Sequence, residues 1–329
     1  MATDPSQPHD ALFRAAFTAP DQAAELLRAF LPKALADALD WPALEHVPAT
    51  FVDSELRDHH ADLLFRTEAG GRQVLVYLLL EHKSADDRWT ALQLLRYVVR
   101  IWERCRRERP GDGLLPPVLP FVLHHGSRRF AAPRSVTELV DLAGLPEELA
   151  ALQPQATFVL EDLGQRPIDD LGRLPLGHAA LLTLLHLQNI RRVKATARLL
   201  WAWRELYRRL ADDPGPRAQQ LLAQLVSYVA LMAQDDLSTM KRTFSDIHSK
   251  TETHYGRHAQ MLVAEGRTEG RTEGRAEGLR IALRTQIEVR FGAVEADVAD
   301  RLEQADAAAL EGLLRRILAA ESLTDLFAE

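Results

Sequence analysis

Cysteine is almost absent from this chain of 329 residues, which contains only Cys105. A single cysteine cannot form an internal disulfide bond, so the class of small disulfide-stapled secreted proteins is excluded. The chain also lacks any apolar run that approaches the roughly 20 residues of a membrane-spanning helix, and the segment from Met1 to His9 is short and polar. We therefore expect no export, no membrane insertion and a cytoplasmic location.

Two familiar nucleophile and phosphate motifs are missing as well. The sequence has no phosphate loop of the Gly-Lys-Ser type and no Gly-x-Ser-x-Gly elbow, so it offers no such site to a nucleotide hydrolase or a serine hydrolase. Acidic residues outnumber basic ones, and the net charge is −7. However, seven Arg and two Glu lie between Arg88 and Arg109, and seven basic residues and one Glu lie between Arg191 and Arg209. Local phosphate-binding surfaces are therefore compatible with the acidic average.

Hydrophobic residues, with aromatic and sulfur residues included, make up 47% of the chain. Their pattern predicts an α/β core that contains both helices and strands. Apolar pairs at helical spacing from His9 to Leu31, broken at Pro20, predict one or two helices. Alternating and continuous apolar runs predict strands, with a hairpin at Ala69-Gly70-Gly71 between the second and the third. The predicted strands cover residues 49–56, 60–65, 74–83, 117–123 and 157–160, and the third is apolar up to Leu80.

A strong amphipathic helix is predicted from Asp87 to Arg107, between the third and fourth strands. Its apolar residues recur at spacings of three and four, and arginines form a second stripe. The apolar set is Trp89, Leu92, Leu95, Val99 and Trp102, and the arginine set is Arg96, Arg100, Arg104 and Arg107.

The rest of the chain is predicted to be helical. Long apolar periodicities run from His178 to Leu210 and from Arg217 to Gln234, separated by a breaker run of Asp, Gly and Pro. A repeat of Glu-Gly-Arg-Thr type follows, in which each interior glycine costs a helix about 1 kcal/mol relative to alanine. We interpret the repeat as a linker or helical connector, with a self-association seam or a nucleic-acid contact as the alternative. The predicted domains are a core (1–165), a helical annex (166–255), the repeat connector (256–278) and a small helical C-terminal module (279–329).

Ionisable residues at the ends of two predicted strands form the candidate site. Asp62 lies in the strand predicted over 60–65, and Glu81, His82 and Lys83 end a nearly all-apolar one. Charged groups at the end of a buried strand need a reason, because burial of charge is costly. Two carboxylates and an ammonium group suit metal-dependent phosphoester chemistry, with Asp62, Glu81 and the backbone carbonyl of His82 as ligands of Mg²⁺ and Lys83 as the catalytic cation. The spacing alone is equally compatible with an exposed ion pair at a strand end.

Several motifs in a fixed order resemble those of the Rpn family, the recombination-promoting nucleases also named YhgA-like transposases, in the PD-(D/E)xK nuclease superfamily. The resemblance covers roughly His9 to Leu210, and each motif is weak by itself. The motifs are His9-Asp10-xx-Phe13-Arg14, Asp62-Leu63-Leu64, Glu81-His82-Lys83-Ser84, Leu95-Arg96-Tyr97 with Trp102, and the run from Pro117 to Gly126.

The resemblance implies a restriction-endonuclease-like core, a mixed sheet flanked by helices, and a DNA endonuclease that uses Mg²⁺, Mn²⁺ or Ca²⁺ in recombination or mobile-element biology. Ala61 stands where the superfamily pattern has Pro, a position that commonly varies. Lys83 is retained where relatives often have Gln, which favours an intact site. The competing hypothesis is an inactive nuclease fold that binds nucleic acid or protein as a scaffold.

Further residues are candidates for supporting roles. Asp10 either approaches the site or caps the first helix, and Glu55 either positions water or a second metal ion or lies in a solvated turn. Gln93 is an accessory candidate or a helix-surface group. Arg96, Arg100 and Arg104 are candidates for DNA-backbone contacts, with a solvated helix face as the alternative. We also consider a homo-oligomer formed through the C-terminal helical region.

Some residue types invite hypotheses that the pattern does not favour. His59, His60, His124 and His125 are unlike a zinc site, because adjacent histidines point to opposite faces of a strand and no cysteine partner accompanies them. Trp201 and Trp203 lie in the second basic stretch, where their helical spacing predicts that both are packed. Cys105, within the arginine-striped helix, is predicted to fill the core rather than to act as a nucleophile.

Overall fold

The computed structural model describes most of the chain. It covers residues 8–48, 63–81, 87–111, 113–126, 128–292, 294, 296–317, 320 and 322–327, and for 79–81, 262–275, 296–297 and 324 it gives the backbone alone. The chain divides into two compact units, residues 1–256 and 257–329. The predicted domain limits at 165, 255 and 278 stay predictions. Among the residues described, no helix combines the length and the apolar character needed to cross a membrane.

Three helices open the first unit. They are α1 (Pro8–Phe17), α2 (Pro20–Phe30) and α3 (Lys33–Ala38). Pro20 is the first residue of α2, a position where proline is tolerated because the first N–H groups of a helix have no partner within it. The predicted break at Pro20 is therefore confirmed.

A mixed sheet of five strands forms the centre of the first unit. The strands are β1 (Glu45–Val47), β2 (Leu63–Ala69), β3 (Arg72–Glu81), β4 (Val118–His124) and β5 (Val159–Asp162). They lie side by side in chain order, with β1, β2 and β3 antiparallel and β3, β4 and β5 parallel. The α/β class with a mixed sheet is confirmed. The strand predicted over 49–56 falls outside the described residues, and β1 was not predicted.

A two-residue turn joins β2 to β3. Ala69 pairs with Arg72, and the intervening Gly70 and Gly71 have φ angles of +56° and +72°. Positive φ at both central residues is the conformation whose twist matches that of the flanking strands, and glycine adopts it without steric cost. The predicted hairpin is confirmed.

Helix α4 (Thr90–Glu108) connects the parallel strands β3 and β4. Its core face consists of Ala91, Leu94, Tyr97, Ile101 and Cys105, which pack with the face of the sheet that carries Leu64, Leu75, Tyr77 and Val122. The predicted apolar face is correct for Leu95, which packs against this core, and wrong for Trp89, Leu92 and Val99, which are 54%, 45% and 41% exposed. The core position predicted for Cys105 is confirmed.

The remainder of the first unit is mainly helical. A 3₁₀ turn (Thr137–Leu139) precedes α5 (Glu147–Ala151), α6 (Ile168–Leu171), α7 (His178–Asn189), α8 (Thr196–Ala202), α9 (Arg204–Asp212), α10 (Pro216–Met232) and α11 (Leu237–Ile247). The periodicity from His178 to Leu210 therefore corresponds to three helices. Trp203 is buried as predicted, whereas Trp201 is 48% exposed, so the prediction that both are packed was wrong for Trp201.

Helix α12 (Ser249–Phe291) contains the four-residue repeat, and α13 (Ala296–Gln304), α14 (Ala307–Arg316) and α15 (Leu323–Leu326) follow it. The second unit has its own apolar core, to which Leu283, Ile287, Leu302 and Leu310 contribute. The guanidinium of Arg280 donates to the carbonyl oxygens of Leu302 and Glu303 at 3.1 and 3.2 Å. These bonds satisfy carbonyl groups near the end of α13 that have no partner within the helix.

Candidate active site at the sheet edge

The three parallel strands end at one edge of the sheet. Glu81, the last residue of β3, pairs in register with His124 of β4, which pairs in turn with Asp162 of β5. The backbone therefore aligns an acid, a histidine and a second acid across the carboxyl ends of adjacent strands. This is the edge at which open α/β sheets place their ligand sites.

The buried His124 and the half-buried Asp162 form a pair at this edge. The Nδ1 atom of His124 lies 2.9 Å from Oδ1 of Asp162, and Oδ2 accepts the backbone N–H of Phe130 at 2.8 Å. Because a carboxylate can only accept, Nδ1 of His124 donates, and the imidazole orientation is fixed. The ring also contacts Phe130 edge to face. Sequence reasoning considered His124 only as a zinc ligand and missed Asp162, because the strand predicted over 157–160 stopped short of it.

His125 faces the opposite side of the sheet, as strand alternation predicts. Its Nδ1 donates to the carbonyl of Leu187 in α7 at 3.3 Å, and its ring lies 5.0 Å from the ring of His9 in α1. The His9 Nδ1 atom is 2.8 Å from the hydroxyl of Tyr228 in α10. Burial raises the pKa of Tyr228, an effect that the charge of Arg191 partly opposes. Helix α1 thus brings its first turn to the end of β4.

Asp10 is the third residue of α1 and is 3% exposed. It directly follows His9, whose ring contacts His125, the residue before Gly126. Asp10 therefore lies within a helix, close to the sheet edge, rather than before the helix. This position suits the accessory role, which stays a prediction.

A further histidine, His186 of α7, is completely buried. Its Nδ1 donates to the carbonyl of Leu182 at 2.7 Å, and its Nε2 accepts the hydroxyl of Tyr207 at 2.9 Å. Burial lowers the pKa of His186 to about 4, although the bond to Leu182 raises it slightly. Burial likewise raises the pKa of Tyr207. Both groups are therefore neutral, and the pair serves the core rather than proton transfer.

The loops after β4 and β5 are joined by one arginine. The guanidinium of Arg192 donates to the carbonyl oxygens of Gly126 and Gly164 at 2.8 and 2.7 Å. Gly164 has no room for a side chain, because an added Cβ would lie 2.6 Å from the Gly126 oxygen. The edge of the sheet is thus a closely packed, hydrogen-bonded structure.

An ion pair stabilises the loop that follows β5. Arg166 donates through Nε and Nη2 to the two carboxylate oxygens of Glu161, at 2.6 and 2.8 Å. These hydrogen bonds raise the pKa of Arg166 above its ordinary value. A two-point contact of this kind fixes the geometry of both side chains.

The predicted catalytic residues fall mostly outside the described residues. This applies to Asp62, His82, Lys83 and the accessory candidate Glu55, and Glu81 is described by its backbone alone. The backbone of Leu63, which follows Asp62, pairs with Leu78, three residues before Glu81. The catalytic and ligand roles therefore stay predictions.

The predicted residues of α4 are described. Gln93 is half-buried, and its side-chain amide donates to the hydroxyl of Tyr97 at 3.0 Å. Its side chain is therefore not purely solvated. Arg100 pairs with Glu103 at 3.5 Å and Arg104 with Glu108 at 2.7 Å. These local pairs are what a solvated helix face would show. Arg96 is exposed. DNA contacts by the three arginines stay a prediction.

Among the side chains described, no three His, Cys, Asp or Glu residues are grouped so as to hold a metal ion. The expected ligands Asp62 and Glu81 are carboxylates, and oxygen donors are what Mg²⁺ prefers. The donor chemistry of the sequence thus fits a hard divalent cation at the edge where Glu81 ends β3.

Comparison with known proteins gives a consistent result. The model of the family described as "Putative transposase, YhgA-like" matches residues 7–214. Recombination-promoting nuclease RpnD of Escherichia coli O157:H7 is 34% identical over 166 residues, which are 50% of this chain and 62% of the relative. Recombination-promoting nuclease RpnA of Escherichia coli K12 is 30% identical over 121 residues, 37% of this chain and 41% of the relative.

A relative with a different description also matches. The inactive recombination-promoting nuclease-like protein RpnE of Escherichia coli K12 is 29% identical over 121 residues, 37% of this chain and 40% of the relative. The chain thus spans less than two thirds of each of these three relatives. No solved structure matches it. Because the family model covers more than half of the chain and the resemblance found in the motifs is confirmed, the chain belongs to the Rpn/YhgA-like family.

Proposed function

We propose that this protein is a divalent-metal-dependent DNA endonuclease with a restriction-endonuclease-like core. The observation that carries the proposal is the position of Glu81 at the carboxyl end of β3, in register with the hydrogen-bonded pair of His124 and Asp162. Membership of a family whose relatives are named recombination-promoting nucleases supports it. The proposal includes a cytoplasmic location and DNA as partner, whereas a homo-oligomer through the C-terminal helices stays a prediction.

The roles of the proposed residues follow from their chemistry. Asp62, Glu81 and the carbonyl of His82 would hold Mg²⁺ through oxygen atoms. A bound divalent ion supplies a water of lowered pKa and compensates charge on the phosphate. The ammonium group of Lys83 orients the attacking water or stabilises the negative charge that develops in the transition state. The phosphodiester bond is then cut by in-line attack of water on phosphorus.

A plasmid assay tests this function. The purified chain is incubated with supercoiled plasmid and Mg²⁺, Mn²⁺ or Ca²⁺, beside Asp62→Asn, Glu81→Gln and Lys83→Ala. We expect nicked or linear plasmid with Mg²⁺ or Mn²⁺, none with a chelator, and rates lowered by about 100-fold or more in each variant. Asp37→Asn is the control, because Asp37 is an exposed acid paired with Lys33 on α3. Cutting at the wild-type rate by all three variants would contradict the assigned site.

The second candidate function is a scaffold that binds nucleic acid without cutting it. The description of RpnE as inactive favours this possibility for some members of the family. Binding of DNA by the wild type, without cutting under any of the three metal ions, would support the scaffold and contradict the endonuclease.

A further inference from the structure

The loop between α7 and α8, together with the start of α8, presents a cluster of cations. Arg191, Lys194 and Arg198 are all exposed, and we name these three residues the basic loop surface. The sequence has no Asp or Glu between residues 171 and 204. The cluster is therefore positive in a chain whose average charge is negative.

The cations of the basic loop surface are not neutralised by partners within the described part of the chain. The structure records no ion pair there for Arg191, Lys194 or Arg198, in contrast to Arg100 and Arg166, which each pair with a glutamate. The acid recorded at the start of α8 is Asp235, which accepts the backbone N–H of Thr196 at 2.7 Å. Asp236 follows Asp235 in the chain and caps α11. Two acids beside three exposed cations still leave a net positive surface, which attracts polyanions.

Arg192 fixes the location of this surface. Its guanidinium bonds to the carbonyls of Gly126 and Gly164, which lie two residues beyond the ends of β4 and β5. The α7–α8 loop is therefore attached to the edge at which β3 ends with Glu81. The neighbouring residues Arg191 and Lys194 belong to the same loop, so the cations border the proposed catalytic edge.

An exposed aromatic residue accompanies the cations. Trp201 lies three residues after Arg198 in α8, which places the two on one face of the helix. The ring is 48% exposed, with the guanidinium of Arg204 at 4.8 Å from its centre. Cations beside an accessible aromatic ring are typical of nucleic-acid surfaces, where the ring can stack on a base.

We propose that the basic loop surface binds the phosphate backbone of the DNA substrate and holds it at the catalytic edge of the sheet. This inference rests on the proposed nuclease function for its choice of DNA as the polyanion. The contacts are to phosphate, so they position the duplex without reading its sequence.

Binding in a chelator separates DNA affinity from cutting. The anisotropy of a labelled duplex is measured at a series of salt concentrations for the full chain and for the triple variant Arg191→Gln, Lys194→Gln, Arg198→Gln. Each lost phosphate contact lowers the slope of log K against log salt by about 0.9, so we expect a loss of about 3. We expect the affinity to fall by about tenfold or more.

Matched variants test whether the effect belongs to this surface. The triple variant Lys33→Gln, Arg173→Gln, Arg217→Gln removes the same charge from exposed residues that pair with Asp37, Asp170 and Asp21. We expect it to keep the wild-type slope. The charge-conserving double variant Arg191→Lys, Arg198→Lys should also keep it. Melting curves check that each variant is folded.

The outcomes distinguish this inference from the proposed function. An unchanged slope in the basic-loop triple, or an equal loss in the control triple, overturns the inference even if the wild type cuts plasmid. A selective loss in the basic-loop triple supports it, even if no metal ion gives cutting and the endonuclease proposal fails.

Discussion

Single buried residues carry consequences that can be measured, and His186 is the clearest case. In the unfolded chain His186 takes up a proton near pH 6.5, whereas in the folded protein burial lowers the pKa of His186 to about 4. Between these values the unfolded state binds more protons, so stability falls as the pH falls. At pH 4 this effect lowers the free energy of unfolding by about 3 kcal/mol.

Urea unfolding at several pH values checks this prediction with a matched variant. His186→Gln keeps a polar group beside Leu182 and Tyr207 but cannot titrate. We expect the free energy of unfolding to fall less steeply between pH 6.5 and 4 in the variant than in the wild type. Parallel curves would show that His186 does not carry the pH dependence.

At Gly164, space rather than charge limits which residue the fold can accept. A Cβ atom there would lie 2.6 Å from the backbone oxygen of Gly126 and from Nη2 of Arg192, and the backbone oxygen cannot move cheaply. We expect Gly164→Ala to lower the free energy of unfolding by about 1 to 3 kcal/mol. Gly172→Ala is the control, since its Cβ would make an ordinary contact at 3.6 Å. Equal stabilities of the two variants in urea would contradict this account.

At the scale of elements, the β2–β3 turn offers a test of backbone conformation alone. An added Cβ at Gly70 meets nothing within 4 Å, so only its φ of +56° resists substitution. We expect Gly70→Ala to cost about 1 kcal/mol in the free energy of unfolding, because the left-handed conformation disfavours alanine. Gly70→Asn should cost less, since asparagine tolerates this conformation and is common in such turns. Equal midpoints in urea for both variants would refute the argument.

The elements also show what the sequence could and could not predict. The hairpin at Gly70-Gly71 and the break at Pro20 were predicted because turn chemistry is local. The buried face of α4 was predicted wrongly for Leu92 and Val99, because these residues satisfy the helical spacing as well as Leu94 and Ile101 do. Only packing against the sheet decides between the two sets, and it buries Leu94 and Ile101.

The candidate site was predictable only in part for a similar reason. Glu81 ends its strand as the apolar run predicts. The pair of His124 and Asp162 depends on the parallel register of β4 and β5, which joins residues 38 positions apart. The acids at the end of β5 break the apolar pattern, so a local interpretation ended the strand at residue 160.

For the whole first unit, family membership and the sheet edge point to the same region of the molecule. The family match extends over residues 7–214, and it contains both the end of β3 and the basic loop surface. The proposed catalytic edge and the proposed DNA contact are thus parts of the segment that the family shares.

The sheet has a spatial order equal to its order along the chain, which matters while the protein is being synthesised. Each strand can pair with its predecessor as soon as it leaves the ribosome, without waiting for distant sequence. Helix α1 is different, since His9 reaches Tyr228 of α10 only after 219 further residues have been added. Until then α1 cannot dock on α10, and chaperones would meet the chain at that stage.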